Sequence, residues 1–560
     1  MRKKTMSIVL STVLGTSLLL PGIEADAKGP TIETKGKHNQ HQSSEKGHPV
    51  FSWGEPGPTS AVLHKGSVRG AGMRIEPLDE IDDVLETAIE EQVMPGAVAF
   101  VARRGHIVKE EAYGYQARYT DDSFTEMDDP LKMEKDTIFD LASISKIFTT
   151  TAAMTLYEKG MFELDDPVAE YIPEFAANGK ENVTIEQLMT HTSGFKPWVP
   201  LYTIDGNREE RMQYVLEYPL RSEPGTEYTY SDLNMITLGA LIEKLSGMRL
   251  DEYVQKTITE PLRMNDTFYN PDPQLKNRIA ATEYQPWTNR GLVWGEVHDE
   301  NAWSLDGVAG HAGVFSTATD LAKFAHMFLM DGRYGGERIL KPETVALLTE
   351  NRIPQFPGDD HGLGFELQQG WFMDALTEST TLGHTGYTGT SLVISPSNQT
   401  IAILLTNRVH PTRDTVSTSP TRRAFARQVA DAIPVDMPKK ADPWFAGYGD
   451  KAVKHLTANI DVNKNSTLSF HTWYQLEANY DVGKIEVSND GANWTALTEL
   501  TGNSDQWEKK QLMVPEGTNY IRFSYDTDSS VNKRGWYVDE VELNGERLHL
   551  TSDEWMKRSY

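Results

Sequence analysis

The sequence predicts an α/β domain, an antiparallel sheet sandwiched between helices, followed by an all-β sandwich. Three observations carry this expectation. Between about residues 73 and 437, segments of helical spacing alternate with short β-branched runs. The stretch VDMPKKADPW, residues 435–444, interrupts the alternation. Beyond it, nearly every periodic segment has the period of two expected of strands.

The chain has 560 residues, more than one domain's worth. Arg2, Lys3 and Lys4, the apolar run Met6–Leu20 and Ala25-Asp26-Ala27 read as a signal peptide over 1–27 and hence a secreted, extracellular product. The apolar run is short and stops at Pro21-Gly22, and no later segment is long and apolar enough to span a bilayer. Residues 28–72, rich in Gly, His, Lys, Gln and Ser, read as a disordered linker. The absence of cysteine removes disulfides and thiolate chemistry. A formal net charge of −27 argues against a nucleic-acid partner, whose phosphates call for basic patches.

Periodic sequence begins near Met73. Leu78, Ile81, Leu85 and Ile89 share one face of a first helix. Ala97–Val101 reads as a strand, with Arg104-Gly105 as the turn of a hairpin. A helix is expected from Ser143 to Gly160, a C′ glycine. Further helices fall near Ile185–Thr190, Asn234–Ser246, Leu250–Ile258 and Ala318–Met330, the last opened by the capping residues of STATD. TSLVISP and TIAILLTN supply strands, and Arg422–Ile433 a closing helix. In the region 445–550, Ile485 and Val487 share a face, Asn489-Asp490-Gly491 turns, and Ile521, Phe523 and Tyr525 alternate.

One helix poses a chemical question. FDLASISKIFTTTAAM is apolar and small, yet carries Lys146 three residues after Ser143. A buried ammonium without partners is strongly disfavoured. Either Lys146 faces solvent, or an amine is needed there. At i, i+3 the two side chains share a helix face. A serine at the helix start lies near the positive end of the dipole, where a developing anion is stabilised, and its own N–H can serve an oxyanion. An amine one turn on can take the serine proton if its pKa is lowered. That lowering is the expectation for Lys146.

Three further stretches join this one. Tyr230-Ser231-Asp232 precedes a helix, His384-Thr385-Gly386 sits at a strand edge, and QLMTHTSGF lies between the first two motifs. Together with PLRMNDTFY, VAGHAGVFSTATDLAKF and GHTGYTGTSLVISP, and in this order, they resemble the serine hydrolases related to penicillin-binding proteins and class C β-lactamases, over about residues 74–435. The resemblance implies a class C β-lactamase-like fold, an antiparallel sheet sandwiched by helices with an all-helical subdomain. It implies that Ser143 is the acylated nucleophile, that Lys146 activates it, and that Tyr230 shuttles the proton. Asp232 stands where many members have an Asn that contacts the substrate amide. His384 replaces the Lys of the K-T-G triplet and is expected to bond Tyr230 or substrate. Thr385, Gly386 and Tyr387 follow as substrate-binding residues, with the Tyr387 N–H as second oxyanion donor. His191 is read as structural, and Arg408 and His410 as lining the cleft or tying a loop down.

His298, Asp299, Glu300, Asp306 and His311 are of the types that hold zinc, but lack H-E-x-x-H spacing. The stretch resembles a subgroup containing secreted esterases and muropeptide-processing amidases, and His311 is read as cleft wall; neither metal nor cofactor is expected. The C-terminal region resembles the jelly-roll modules of secreted immune-inhibitor-A-like metalloproteases. Trp494, Trp507, Trp536 and Tyr537 either stack on glycan or fill the core, and Asp526 and Asp528 have calcium-binding chemistry. The expected activity is acyl-enzyme hydrolysis of amide bonds in peptidoglycan-derived muropeptides, of the N-acetylmuramyl-L-alanine amidase or D-Ala peptidase kind. The rivals are a carboxylesterase or weak β-lactamase acting on another small acyl substrate, and a non-catalytic wall- or glycan-binding protein.

Overall fold

In a computed structural model, residues 58–438 and 441–560 are described. The predicted signal peptide and the linker up to residue 57 lie outside them. Strand β1 (His64–Lys65) is followed by helix α1 (Ile75–Glu90), strands β2 (Gly96–Arg103), β3 (His106–Tyr119) and β4 (Glu126–Lys132), and helices α2 (Ser145–Tyr157), α3 (Asp232–Ser246) and α4 (Ala318–Leu329). Strands β5 (Glu366–Leu367), β6 (Leu382–Thr385), β7 (Ser391–Ser395) and β8 (Thr400–Thr406) lead to helix α5 (Ser419–Asp431). The sheet order is β1-β3-β2-β8-β7-β6-β5, with β4 on β3. All pairs are antiparallel except β1 with β3.

The alternation of the central strands explains the sandwich. In β2, Val98, Phe100 and Ala102 enter one core, while Ala97, Ala99 and Val101 enter the other. The first core takes the buried faces of α2, α3 and α4; the second takes Leu78, Ile81 and Leu85 of α1 and Phe425, Val429 and Ala430 of α5. A sheet covered by helices on both faces needs strands apolar on both sides, and β2 is buried throughout. The β2–β3 turn places Arg104 at φ 54° and Gly105 at φ 81°, the two left-handed residues a two-residue hairpin favours.

Residues 58–72 correct the linker expectation. β1 pairs with β3, the Ser60 amide donates to the Arg104 carbonyl at 3.0 Å, and His326 Nε2 donates to the Ser60 carbonyl at 2.8 Å. Polar composition suggested disorder, but backbone pairing along an exposed sheet edge does not depend on side chains.

Beyond residue 441 the strands form two antiparallel sheets. One contains Ser466–Gln475, Glu508–Val514 and Gly535–Leu543; the other Val453–Asn459, Val482–Ser488, Thr495–Leu500 and Tyr520–Asp526. Leu456, Phe470, Ile485, Phe523 and Trp536 meet between them. The boundary at 550 falls short: Trp555 is buried and Met556–Lys557 pairs with Trp444–Phe445. The region leans on α5, whose Asp431 accepts hydrogen bonds from Arg558 and from the Tyr448 hydroxyl, while Arg534 donates to the Ile433 carbonyl. Of the four aromatic residues weighed for glycan stacking, Trp536 and Tyr537 are buried, and Trp507 donates to the Asp436 carbonyl at 2.7 Å. Trp494 is half-buried beneath the Arg522 guanidinium, 4.1 Å from its ring centroid. Asp526 is paired with Lys484, whereas Asp528 lies with Glu477 and Asp481.

Candidate active site

A short 3-10 turn, Ala142–Ile144, runs directly into α2 and sets Ser143 at the helix entrance. Ala142 is held at φ 47°, a left-handed conformation that costs a non-glycine residue roughly 1–3 kcal/mol and so needs bracing. Asp140 supplies the brace. Its buried carboxylate accepts the Ala142 amide at 2.8 Å and the His298 amide at 2.6 Å. The loop after β6 adds two more ties, Thr388 Oγ1 donating to the Asp140 carbonyl at 2.8 Å and Thr390 Oγ1 to the Leu141 carbonyl at 3.1 Å. On the other side, the Val314 amide donates to Ser145 Oγ at 3.0 Å, and Thr149 Oγ1 to the Gly310 carbonyl at 2.8 Å.

Lys146 is fully buried and points at the nucleophile. Its Nζ donates to Ser143 Oγ at 2.7 Å and to the His311 carbonyl at 3.2 Å, and sits 2.9 Å from Asp232 Oδ1. Tyr230 lies against both groups. Its ring centroid is 4.7 Å from Lys146 Nζ, and Ser143 and Lys146 both pull its phenol down against burial. His191 positions it: the ring packs 4.6 Å from Tyr230 while Nδ1 accepts the Ser231 amide at 3.1 Å and the Asn234 side-chain amide at 3.2 Å.

The expectation of a lowered Lys146 pKa is overturned. Burial pushes the amine down, but the charge of the Asp232 carboxylate, helped by Tyr230, outweighs it and holds the pKa above the ordinary lysine value. Burial likewise raises the Tyr230 phenol, with Lys146 pulling against it. The resting pair is therefore ammonium and phenol, and an ammonium cannot accept the serine proton. Reaction requires the coupled pair to have lost one proton, by whichever residue. With both groups raised, kcat/KM rises from neutral into alkaline pH. In Asp232→Asn the burial that disfavours the ammonium loses its strongest opponent, so Lys146 sheds its proton more easily. The rising limb of kcat/KM against pH is expected to move down by ~1 unit or more; an unmoved limb would remove Asp232 as the controlling charge.

His384 sits on β6 opposite Leu392 of β7. The short β5 pairs only with residues 382–383, so the His384-Thr385 end projects beyond it. Of its two expected partners, Tyr230 or substrate, Tyr230 is not bonded: the ring centroids are 6.1 Å apart and His384 Nδ1 donates to the Thr385 carbonyl at 2.7 Å. Burial and the nearby Lys146 charge bring its pKa down to about 3, so the imidazole is neutral. Thr385, Gly386 and Tyr387 line the cleft beside Ser143. Gly386 is wedged so tightly that a Cβ would lie 2.4 Å from the Leu141 carbonyl. The Tyr387 side chain is exposed at the rim.

Two cavities meet at Ser143. The larger, about 540 Å³, is lined by charged and polar residues including Glu366, Arg408 and Arg422; the smaller, about 370 Å³, is lined by Trp198, Ala312 and Tyr387 together with His298, His311 and Arg413. On the smaller side His311 Nε2 donates to Asp299 Oδ1 at 2.8 Å. Arg413 grips Glu283 and Glu300, both at 2.6 Å, and His298 Nε2 donates to Glu283 at 2.8 Å. Burial would raise the Glu283 carboxyl, but His298 and Arg413 bring it down to about 2. Ligand atoms of Asp232, Asp299 and His311 lie within 4.8 Å of one another, the spacing of a cation site. They fit one poorly, because Asp232 Oδ1 faces the Lys146 ammonium and Asp299 Oδ1 already accepts from His311 and the Ala302 amide. His410 ties its loop to β3, Nε2 accepting the Arg118 and Tyr119 amides at 3.0 Å, whereas Arg408 lines the cleft.

Sequence reading missed Asp140, Thr388, Thr390, Glu366, His361 and Arg422. Asp140, three residues before Ser143, and Thr388 and Thr390, inside GHTGYTGTSLVISP, stand within the motifs; Glu366, His361 and Arg422 reach the cleft from other segments.

Comparison with known proteins gives the same placement. A family model described as Beta-lactamase matches residues 81–427. A protein of Escherichia coli (strain K12) named "Putative D-alanyl-D-alanine carboxypeptidase" is 32% identical over 383 residues, covering 62% of this chain and 86% of that protein. Among solved structures, a penicillin-binding protein homolog from Caulobacter crescentus aligns with TM-score 0.51 at 18% identity, over 65% of this chain and 99% of that one. The hydrolase EstCE1, described as having promiscuous acyltransferase activity, aligns with TM-score 0.50 at 24% identity, over 63% of this chain and 98% of that one. At these identities the two structures speak for the fold.

Proposed function

Because the chain belongs to the beta-lactamase family of serine hydrolases, we propose that it is an exported acyl-enzyme hydrolase of muropeptide amide bonds, of the D-Ala peptidase or N-acetylmuramyl-L-alanine amidase kind. The observation that carries this reading is the 2.7 Å contact between the buried Lys146 ammonium and Ser143 Oγ. Ser143 Oγ attacks the scissile carbonyl, and its proton passes to the Lys146–Tyr230 pair once that pair has given up a proton. The tetrahedral oxyanion is met by the amides of Ser143 and Tyr387. The pair returns the proton to the leaving amine, and water, deprotonated by the same pair, releases the acyl group from Ser143. Export rests on the basic and apolar start of the sequence, and the peptide substrate on the printed name of the Escherichia coli relative.

A second reading, a carboxylesterase, is favoured by one observation. The position that carries a lysine in the K-T-G triplet holds His384, kept neutral by burial. A neutral group there offers less to a substrate carboxylate. One experiment separates the readings. Purified muropeptides are incubated with the protein and with Ser143→Ala, and the products weighed. Loss of D-Ala or release of the intact stem peptide by the wild-type protein alone supports the proposal and names the bond. Unchanged muropeptides alongside Ser143-dependent hydrolysis of simple alkyl esters support the esterase.

A further inference from the structure

The larger cavity beside Ser143 holds more unmet hydrogen-bonding capacity than a buried surface ordinarily tolerates. Arg422 is buried; Nη2 donates to the Gly386 carbonyl at 2.9 Å and the Thr390 carbonyl at 3.0 Å, while Nε has no partner among the described residues. Among the described residues the Arg408 guanidinium makes a single hydrogen bond, Nη2 to the Thr415 carbonyl at 3.4 Å, with Nε unpartnered and the Tyr387 ring centroid 5.9 Å away. Neither guanidinium forms an ion pair among the described residues, unlike Arg413 on the opposite side, which is neutralised by Glu283 and Glu300.

The same cavity presents acceptors of the opposite sign. Glu366, on β5 opposite Gly383, has a buried Oε2 without a partner among the described residues. His361 is 1% exposed; its Nδ1 donates to the Gly362 carbonyl at 2.7 Å, which leaves Nε2 as a bare lone pair, also buried and unpartnered among the described residues. Asp359 and Asp360 continue the acidic side toward solvent.

Unpaired donors and unpaired acceptors lining one cavity suit a group carrying both charges. We propose that the charged side of the cleft binds an amino-acid zwitterion, with Arg408 and Arg422 on its carboxylate and Glu366 and His361 on its ammonium. The substrate class is then an acyl compound bearing a free α-amino-carboxylate end on one side of the scissile carbonyl. This deepens the acyl-hydrolase reading and rests on its placing the scissile carbonyl at Ser143. The arginines replace, from a different element, the fixed positive charge that neutral His384 does not supply. Burial brings the Glu366 carboxyl up to about 7, against the pull of Arg422 and Lys146, so an arriving ammonium would hold it ionised.

Binding is read by calorimetry on the full chain at pH 7.5, so the result stands whether or not Ser143 acylates. The probes are D- and L-norleucine, their N-acetyl forms and their α-amides. At least one free isomer is expected to bind about 10-fold or more tighter than both of its blocked forms. Glu366→Gln should erase the preference over the N-acetyl form, and Arg408→Gln the preference over the amide. Arg408 is chosen because Arg422 also pins the backbone of the loop after β6. Blocked and free forms binding alike, no binding by any of them, or preferences that survive both substitutions would overturn the receptor. Parallel hydrolysis of 4-nitrophenyl acetate tests the acyl-enzyme separately: its absence removes that reading and leaves the binding result to be judged on its own.

Discussion

Replacing Lys146 by methionine lowers kcat/KM by about 10³-fold or more, the range expected when a positioned acid–base group is lost. The substitution keeps the length of the stem and removes the charge. Ser143 Oγ loses the donor at 2.7 Å, Tyr230 loses the cation that pulls against its burial, and Asp232 loses its partner at 2.9 Å. The last loss has its own signature. Breaking one side of a buried ion pair costs about 3–5 kcal/mol, toward the lower end here because Asp232 is partly exposed. Thermal unfolding should therefore occur at a lower temperature in Lys146→Met, and the double variant Lys146→Met/Asp232→Leu should recover most of that loss and none of the activity. Steady-state kinetics and melting curves on the three proteins check both halves. Activity returning with stability would show Lys146 to be scaffolding.

Gly386→Ala is expected to cut kcat by about 10²–10³-fold, the cost of misplacing one oxyanion donor, with a smaller change in KM. An added methyl group meets Thr390 Oγ1 at 2.1 Å and the Leu141 carbonyl at 2.4 Å. The clash lies where the loop after β6 is tied to the residues before the nucleophile. Backbone cannot yield there without moving the Tyr387 amide relative to Ser143. Single-turnover acylation with an activated ester reads the defect directly; unimpaired acylation would place the oxyanion donor elsewhere. The neighbouring Thr390→Ser keeps the hydroxyl and loses only a methyl group, and should retain most of the rate.

The parts of the site that the sequence disclosed are those set by one local segment. Ser143 and Lys146 are one helical turn apart, so their meeting follows from helix geometry, and Tyr230 with Asp232 stands at the head of α3. The Lys146 pKa runs opposite to expectation because the Asp232 carboxylate stands 2.9 Å from its Nζ as a full charge. Its role as a counter-ion depends on the approach of α3 to α2, which no local spacing reveals. The same holds for Glu366 and Arg422, 56 positions apart and joined by cavity walls from β5 and α5. In the fold, the alternation of β2 and β8 and the apolar face of α1 were legible because each strand or helix must bury a face. Order in residues 58–72 was not, since it comes from main-chain pairing and a polar composition conceals it.

Helix α5 joins two jobs that are usually kept apart. Near its start Arg422 holds the loop that shapes the cleft; at its end Asp431 is clasped by Arg558 and Tyr448 of the C-terminal region. The rod is thus anchored by two residues downstream of its own cleft contacts, Arg558 by more than a hundred positions. Trimming the chain to its catalytic half would do more than shed an accessory: it would free one end of the beam on which the rim of the reaction chamber is mounted.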